Sequence, residues 1–197
     1  MPPVTAALVA ANVGIFFLTA LAPQFAMNFA LWPLGSEGVF ASGPGFSLWQ
    51  LFSYAFLHGG LMHLAVNMFG LYMFGSPLEH VFGTRRYLAY YFSCVLSAAI
   101  VQLIVLAISG TFVPTVGASG GVFGLLLGFA MLFPNQRVVL LFPPIPMRAR
   151  TFAFVYAAVE LLLGVTGTQS GVAHFAHLGG MVGGYLLLRQ WGFRNRA

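Results

Sequence analysis

The residues best suited to chemistry are a few polar side chains set in long apolar stretches of this 197-residue chain. Ser119 stands in TVGASGGVFGLLLG, His177 in VAHFAHLGG, and both His63 and Asn67 in FLHGGLMHLAVN. Polar side chains are costly in hydrocarbon, so those found there are candidate functional residues. A serine with a histidine is the minimum set for nucleophilic acyl transfer, because the imidazole can take the hydroxyl proton. Phe123, one helical turn after Ser119, is placed to pack on that imidazole.

The composition puts these residues in a membrane. Hydrophobic residues make up 59% of the chain and charged residues 6%, whereas an ordinary soluble domain is about 25% charged. We predict an all-α polytopic membrane protein, with a single domain over residues 1–197 and a bundle of six transmembrane helices of which the fourth is short and partly buried. The first segment is interpreted as a retained span rather than a signal peptide. The predicted spans are about 4–21, 51–76, 87–108, 119–133, 151–166 and 172–188.

The depths at which the four polar residues lie in the membrane predict that their side chains come together. A helix rises about 1.5 Å per residue, and the second span is taken to end at Pro77. Measured from the inner end of each span, the depths are roughly 22 Å for Ser119, 18 Å for His177, 21 Å for His63 and 15 Å for Asn67. The hydrocarbon core is about 30 Å thick, so all four lie at similar levels inside it.

Small residues would let the helices that carry these groups approach. Gly120, Gly124 and Gly128 recur at intervals of four along the fourth span, and Gly180 lies on the His177 face of the sixth span. Proton transfer needs a separation of about 3 Å between serine and histidine. Ordinary side chains hold helix axes about 8–10 Å apart, and small residues reduce that distance. We therefore expect the glycines to hold the fourth and sixth spans together.

The start of the fourth span is suited to binding an oxyanion. Unpaired main-chain N–H groups at a helix start, including that of Ser119, favour negative charge. Gly117 and Gly120 would let the chain turn sharply into the helix and bring these donors close. His63 and Asn67, four residues apart, project from one face of the second span and can add side-chain donors.

A third, acidic residue is not expected at the site. The chain has no aspartate, and its three glutamates are Glu37, Glu79 and Glu160. Glu37 falls in an outer loop and Glu79 at the inner end of a span, and Glu160 would have to leave the fifth span to reach the serine. Glu160 is assigned no partner beyond a local hydrogen bond. The predicted arrangement is therefore a pair, Ser119 and His177.

Two other interpretations use the same residues. His58, His63, His174 and His177 are potential zinc ligands, but no HExxH motif is present and no carboxylate is expected at their level. His58 falls higher, and His174 close to the surface, so both are interpreted as structural and no metal is predicted. A transporter or channel would also use small-residue helix faces, but the inner halves of these spans are almost free of polar residues.

The distribution of charge predicts the orientation. The net charge is +5 and all basic residues are arginines, which fall in the same set of alternate connections rather than in a nucleic-acid-binding patch. By the positive-inside rule both termini are cytoplasmic, and no nucleic acid partner is expected. The apolar 22–50 connection is predicted to lie in the outer membrane interface. The arginines are Arg85, Arg86, Arg137, Arg148, Arg150, Arg189, Arg194 and Arg196.

Four motifs in order resemble those of the rhomboid intramembrane serine proteases, and the chain is similar to a compact bacterial six-span member. The motifs are HGGLMHLAVN, LEHVFGTRR, GASGGVFG and AHLGG. The resemblance implies that Ser119 is the nucleophile and His177 the general base and acid, with His63 and Asn67 stabilising the oxyanion. The family's outer loop usually reads Trp-Arg before the second span. Trp49-Gln50 stands here instead, which leaves the anchoring of that loop open.

The resemblance further implies an endopeptidase of the bacterial inner membrane. Its substrates would be the transmembrane segments of single-span proteins in the lipid bilayer, its active site would open to the outer face, and it would need no cofactor or metal. The alternative is a non-proteolytic rhomboid-like protein that only binds membrane clients. Such relatives typically lack the serine or the histidine, and this chain has both.

Overall fold

The computed structural model is predominantly helical and describes residues 1–36, 43–139, 144–167 and 173–193. Glu37, Arg194, Arg196 and residue 172, the first of the predicted sixth span, lie outside these ranges. The helices are α1 (Pro3–Leu21), α2 (Pro23–Phe29), α3 (Gln50–Ser53), α4 (Leu61–Gly70), α5 (Ser76–Ser109), α6 (Ser119–Leu132), α7 (Ala149–Thr166) and α8 (His174–Gln190). A 3₁₀ turn (Tyr54–Phe56) follows α3, and a π-helical turn (Leu71–Gly75) joins α4 to α5.

Several of these helices are long and apolar enough to cross a membrane. Among the described residues they are Pro3–Leu21, the helical stretch Leu61–Ser109, which is kinked at Gly83, and Ala149–Thr166. At 14 residues α6 is shorter, so it rises only about 21 Å. Strands β1 (Arg137–Val139) and β2 (Pro146–Arg148) form an antiparallel pair in the connection between α6 and α7.

The predicted second span was wrong at both ends. Its first residues form α3 and the 3₁₀ turn, and α4 begins at Leu61. The helix does not end at Pro77 but continues to the reversal at Gly83, whose φ of 70° and ψ of 166° suit glycine. The π-helical turn before Pro77 explains why the helix continues through this proline. A wider helical turn can accommodate a residue that lacks a main-chain N–H. The depths of His63 and Asn67 counted from Pro77 were therefore too small.

Glu79, which the sequence placed at the inner end of a span, joins α5 to the start of α1. Its carboxylate accepts hydrogen bonds from the main-chain N–H groups of Val4 (2.9 Å) and Thr5 (2.7 Å) and from the Thr5 hydroxyl (2.7 Å). Glu79 is 4% exposed. Because the first N–H groups of a helix have no partner within it, a carboxylate here satisfies them and complements the helix dipole.

Gln50 anchors the connection between the first and second predicted spans, where the resemblance had left the anchoring open. Its side-chain oxygen accepts from the main-chain N–H of Trp32 at 3.1 Å. Its side-chain nitrogen donates to the carbonyls of Gly45 at 2.9 Å and Asn28 at 3.3 Å. Gln50 is fully buried, so one uncharged amide ties three parts of this connection together.

The segment that leads into α6 is held by main-chain hydrogen bonds. Leu31 and Thr115 exchange both N–H···O bonds at 2.9 Å, and the N–H of Gly117 donates to the carbonyl of Tyr54 at 2.9 Å. Non-helical backbone at membrane depth is tolerated only where its polar groups are satisfied. These bonds supply partners and fix the position at which α6 begins.

Close contact between α6 and α8 depends on glycine. A Cβ atom on Gly180 would collide with the backbone of Gly120. A Cβ on Gly124 would collide with the Cys94 side chain and lie 2.9 Å from the Gly180 carbonyl oxygen. Helix α6 thus packs closely against both α8 and α5. Neither Gly124 nor Gly180 has room for a side chain.

Gly128 does not hold α6 against α8, contrary to the prediction. The nearest atoms to a Cβ placed there belong to Tyr90 and Leu78 of α5. The Tyr90 hydroxyl, which donates to the Gly124 carbonyl at 2.8 Å, also lies where a Cβ on Gly184 of α8 would be. Gly128 and Gly184 therefore both leave room for the buried side chain of Tyr90.

Candidate active site

Ser119 and His177 meet at the start of α6. The Oγ atom of Ser119 lies 2.7 Å from Nε2 of His177, a normal hydrogen-bond distance for a nucleophile and its base. His177 is 8% exposed, while Ser119 is only partly buried. The arrangement leaves the hydroxyl accessible and shields the imidazole.

Phe123 fixes one face of the imidazole. Its ring stacks on that of His177 with centroids 4.3 Å apart and an interplanar angle of 3°. Phe123 stands one turn beyond Ser119 on α6, so the same helix presents the hydroxyl and the ring that aligns its partner. This is the contact expected from the sequence.

His63 lies over the glycine that precedes α6. Gly117 has a φ of 130°, and a Cβ atom there would lie 2.8 Å from both Cε1 and Nε2 of His63 and 3.7 Å from Ser119 Oγ. The main-chain N–H of Gly59 points to His63 Nδ1 across a long 3.4 Å. When Nδ1 accepts, Nε2 carries the proton and is a donor beside Ser119. Gly117 is therefore needed for both its backbone conformation and its missing side chain.

Asn67 is buried one turn below His63 and is 4% exposed. Its side-chain nitrogen donates to the His63 carbonyl at 2.8 Å, so one of its two N–H bonds is used within α4. His58 packs edge-on against the His63 ring, with centroids 5.1 Å apart. At 8% exposure His58 is buried, and it supports the His63 ring, in keeping with the structural role expected for it.

The structure overturns two expectations about Glu160: that it has no partner beyond a local hydrogen bond, and that it could reach the site only by leaving its helix. Oε2 of Glu160 lies 2.8 Å from Nδ1 of His177 and 2.7 Å from Nδ1 of His174. Glu160 remains within α7 and is 9% exposed, and His174 is 5% exposed. Helix α7 packs along α8, which places its one carboxylate against the first turn of α8. The signal that could have found this contact is the pair of histidines three residues apart, which share one helix face.

The same three side chains are the cluster that could hold a metal ion. The potential ligand atoms of Glu160, His174 and His177 lie within 4.8 Å of one another, so the expectation that no carboxylate lies level with the histidines was wrong. Tetrahedral zinc with bonds of about 2.0 Å separates its ligands by about 3.3 Å. Both nitrogens here lie 2.7–2.8 Å from the same oxygen, which fits hydrogen bonds better than shared coordination.

Comparisons with known proteins agree with the motifs. A sequence model described as the rhomboid domain matches residues 45–191. The chain is 32% identical over 137 residues to rhomboid protein 1, mitochondrial, of Saccharomyces cerevisiae, covering 67% of this chain and 38% of the relative. It is 34% identical over 140 residues to RHOMBOID-like protein 4 of Arabidopsis thaliana, covering 71% and 33%.

One relative is named as a protease. The rhomboid protease GluP of Bacillus subtilis is 27% identical over 138 residues, covering 70% of this chain and 25% of the relative. The matched region therefore spans well under two thirds of the length of these relatives.

Proposed function

The chain belongs to the rhomboid family of membrane proteins, and from that premise we propose that it is an intramembrane serine endopeptidase that cleaves transmembrane segments of other proteins. The observation that carries the proposal is the 2.7 Å separation of Ser119 Oγ and His177 Nε2. In this family, a serine hydroxyl within hydrogen-bond reach of a buried histidine is best explained as a nucleophile with its base.

The proposed reaction uses both residues twice. His177 Nε2 takes the Ser119 proton as Oγ attacks the scissile carbonyl carbon, and then gives that proton to the leaving amine. Water hydrolyses the acyl-enzyme by the same steps in reverse order, and Ser119 is regenerated. The main-chain N–H of Ser119 and the side chains of His63 and Asn67 would donate to the oxyanion in each tetrahedral intermediate.

Glycines 117, 120, 124 and 180 have supporting roles in this proposal. They allow the turn into α6 and the close approach of α6 to α8 that the proton transfer needs.

The substrate and the setting follow from the membrane location. We propose six crossings: α1, the helix from α4 to Gly83, the rest of α5, and α6 to α8. Arginines then lie on the cytoplasmic side with both termini, and the site opens to the outer face of a bacterial inner membrane. Single-span proteins would enter laterally from the bilayer, and water from the outer face. The mechanism needs no metal and no cofactor.

The test is cleavage of a single-span substrate by the purified full chain in detergent or liposomes, compared with Ser119→Ala. We expect one specific cut with the wild type and none with the variant. Wild-type turnover by Ser119→Ala would overturn the proposal, and retention of substrate without any cut by the wild type would favour the client-binding alternative.

A further inference from the structure

Glu160 and His174 form, with His177, a chain of buried polar groups that a serine–histidine pair does not require. Both histidine Nδ1 atoms lie within 2.8 Å of Oε2 of Glu160. The Glu160 side chain is 11% exposed, and those of His174 and His177 are 6% and 10% exposed. A buried carboxylate is costly unless it is hydrogen-bonded, and its two partners here come from the first turn of α8.

We propose that Glu160 is a positioning residue that completes a Ser119–His177–Glu160 relay, with His174 holding the carboxylate in place. This inference rests on the proposed function and extends it, since the sequence-based expectation was a pair without an acid. The carboxylate acts through His177 and does not touch the substrate.

The two ring nitrogens of His177 face different partners. Nδ1 faces a carboxylate oxygen, which only accepts when ionised, so Nδ1 carries the proton. A neutral imidazole then has its lone pair on Nε2, which faces the Ser119 hydroxyl. That tautomer is the one a general base needs. Stacking against Phe123 fixes the plane of the ring but does not choose between its two nitrogens.

The charge of Glu160 matters in the next step. When Ser119 transfers its proton to Nε2, His177 becomes an imidazolium in a site with little water. A carboxylate 2.8 Å from Nδ1 stabilises that charge without taking the proton itself. The relay therefore favours the reactive tautomer before the attack and the ion pair during it.

His174 explains why Glu160 stays in place. One carboxylate oxygen has room for two donors, and His174 Nδ1 supplies the second at 2.7 Å. Because His174 and His177 stand three residues apart, one turn of α8 presents both donors. His174 thus fixes the Oε2 atom that orients His177.

The test compares Glu160→Gln with Glu79→Gln in the full chain. A glutamine at 160 loses the charge and can donate to Nδ1, which favours the unreactive tautomer. We expect kcat to fall by about 10²- to 10⁴-fold, as when the acid of a serine triad is altered, with KM changing much less. Glu79 is a buried carboxylate with three donors from α1. Glu79→Gln should lower thermal stability and leave kcat of the folded protein unchanged.

His174→Ala should cause a smaller loss of kcat, about tenfold or less, because Glu160 keeps its bond to His177. ¹⁵N NMR of histidine-labelled protein supplies a readout that a merely structural role would not move. His177 should carry its proton on Nδ1 in the wild type and shift toward Nε2 in Glu160→Gln. If Glu160→Gln does not fold, the wild-type tautomer decides: Nδ1–H supports the relay, and Nε2–H overturns it.

Wild-type turnover by Glu160→Gln while Ser119→Ala is inactive would overturn the relay and leave the protease proposal intact. Turnover by Ser119→Ala would overturn both the relay and the protease proposal. Loss of kcat in both glutamate variants to the same degree would also overturn the relay, because it would mark a general effect of removing a buried carboxylate.

Discussion

His177 Nε2 lies 2.7 Å from Ser119 Oγ, although the two residues are 58 positions apart in the chain. The contact joins the first residue of α6 to the first turn of α8. It depends on Gly180, where any side chain would meet the backbone of Gly120. The proposed protease activity requires that contact.

Removing His177 should abolish cleavage while the protein still inserts and folds. Without the imidazole, the Ser119 hydroxyl has no base to accept its proton. The double variant Ser119→Ala/His177→Ala should be no slower than either single variant, because the two residues act as a unit. The measurement is residual turnover of all three variants at equal amounts of folded protein. Additive losses would contradict a shared role.

His63→Ala and Asn67→Ala should each reduce turnover by about one to three orders of magnitude without eliminating it, as expected for the loss of one oxyanion donor. His80→Ala is the matched control, since His80 is an exposed histidine bonded to the Ser76 carbonyl and should keep wild-type turnover. Stability should be measured beside turnover. If His63→Ala and Asn67→Ala unfold at lower temperature but their folded fractions turn over normally, these residues only hold helices together.

Gly124→Val should strongly reduce cleavage although Gly124 touches no catalytic atom. The new side chain would meet Cys94 and the Gly180 carbonyl and push α6 away from its neighbours. A displacement of about 1 Å in a catalytic group can cost about a hundredfold in rate. The overpacking should also lower the free energy of unfolding by about 1–3 kcal/mol.

Gly14→Val is the control for that substitution. Gly14 lies in α1 with no atom within 4 Å of a Cβ placed there, so we expect little change in turnover or melting temperature. Both variants should be compared in the same detergent. Normal cleavage by Gly124→Val would show that the glycine contacts do not set the distance between Ser119 and His177.

The motifs predicted Ser119 and His177 at the centre of the site, but not the Glu160 side chain that contacts His177. Spacing alone placed Ser119 and His177 on facing helices and Phe123 one turn away, because a local motif fixes local geometry. Glu160 was missed because α7 is apolar on several sides, and nothing in such a helix tells which side faces α8. That rotation is set by packing between helices far apart in the chain.

The inner limit of the second span was predicted wrongly for a local reason. Proline usually ends a helix, so Pro77 was taken as the end of the second span. A π-helical turn over Leu71–Gly75 precedes it, and a run of apolar residues gives no sign that the chain will widen there. The actual reversal is at Gly83, whose positive φ was not predicted.

Chelation should leave activity unchanged. The Nδ1 atoms of His174 and His177 both lie at hydrogen-bond distances from Oε2 of Glu160, and the proposed mechanism uses no metal. Turnover should therefore be the same before and after treatment with a strong chelator. A reversible loss, restored by added zinc, would indicate that this cluster works as a metal site.

The most direct measurement is the site of modification by a serine-directed phosphonate or isocoumarin, mapped by mass spectrometry in the purified full chain. A serine made nucleophilic by His177 should react, while the other serines should not. We predict one adduct, on Ser119, that forms in step with the loss of cleavage and is absent in His177→Ala. Inactivation without modification of Ser119, or equal labelling of Ser119 when His177 is removed, would contradict it.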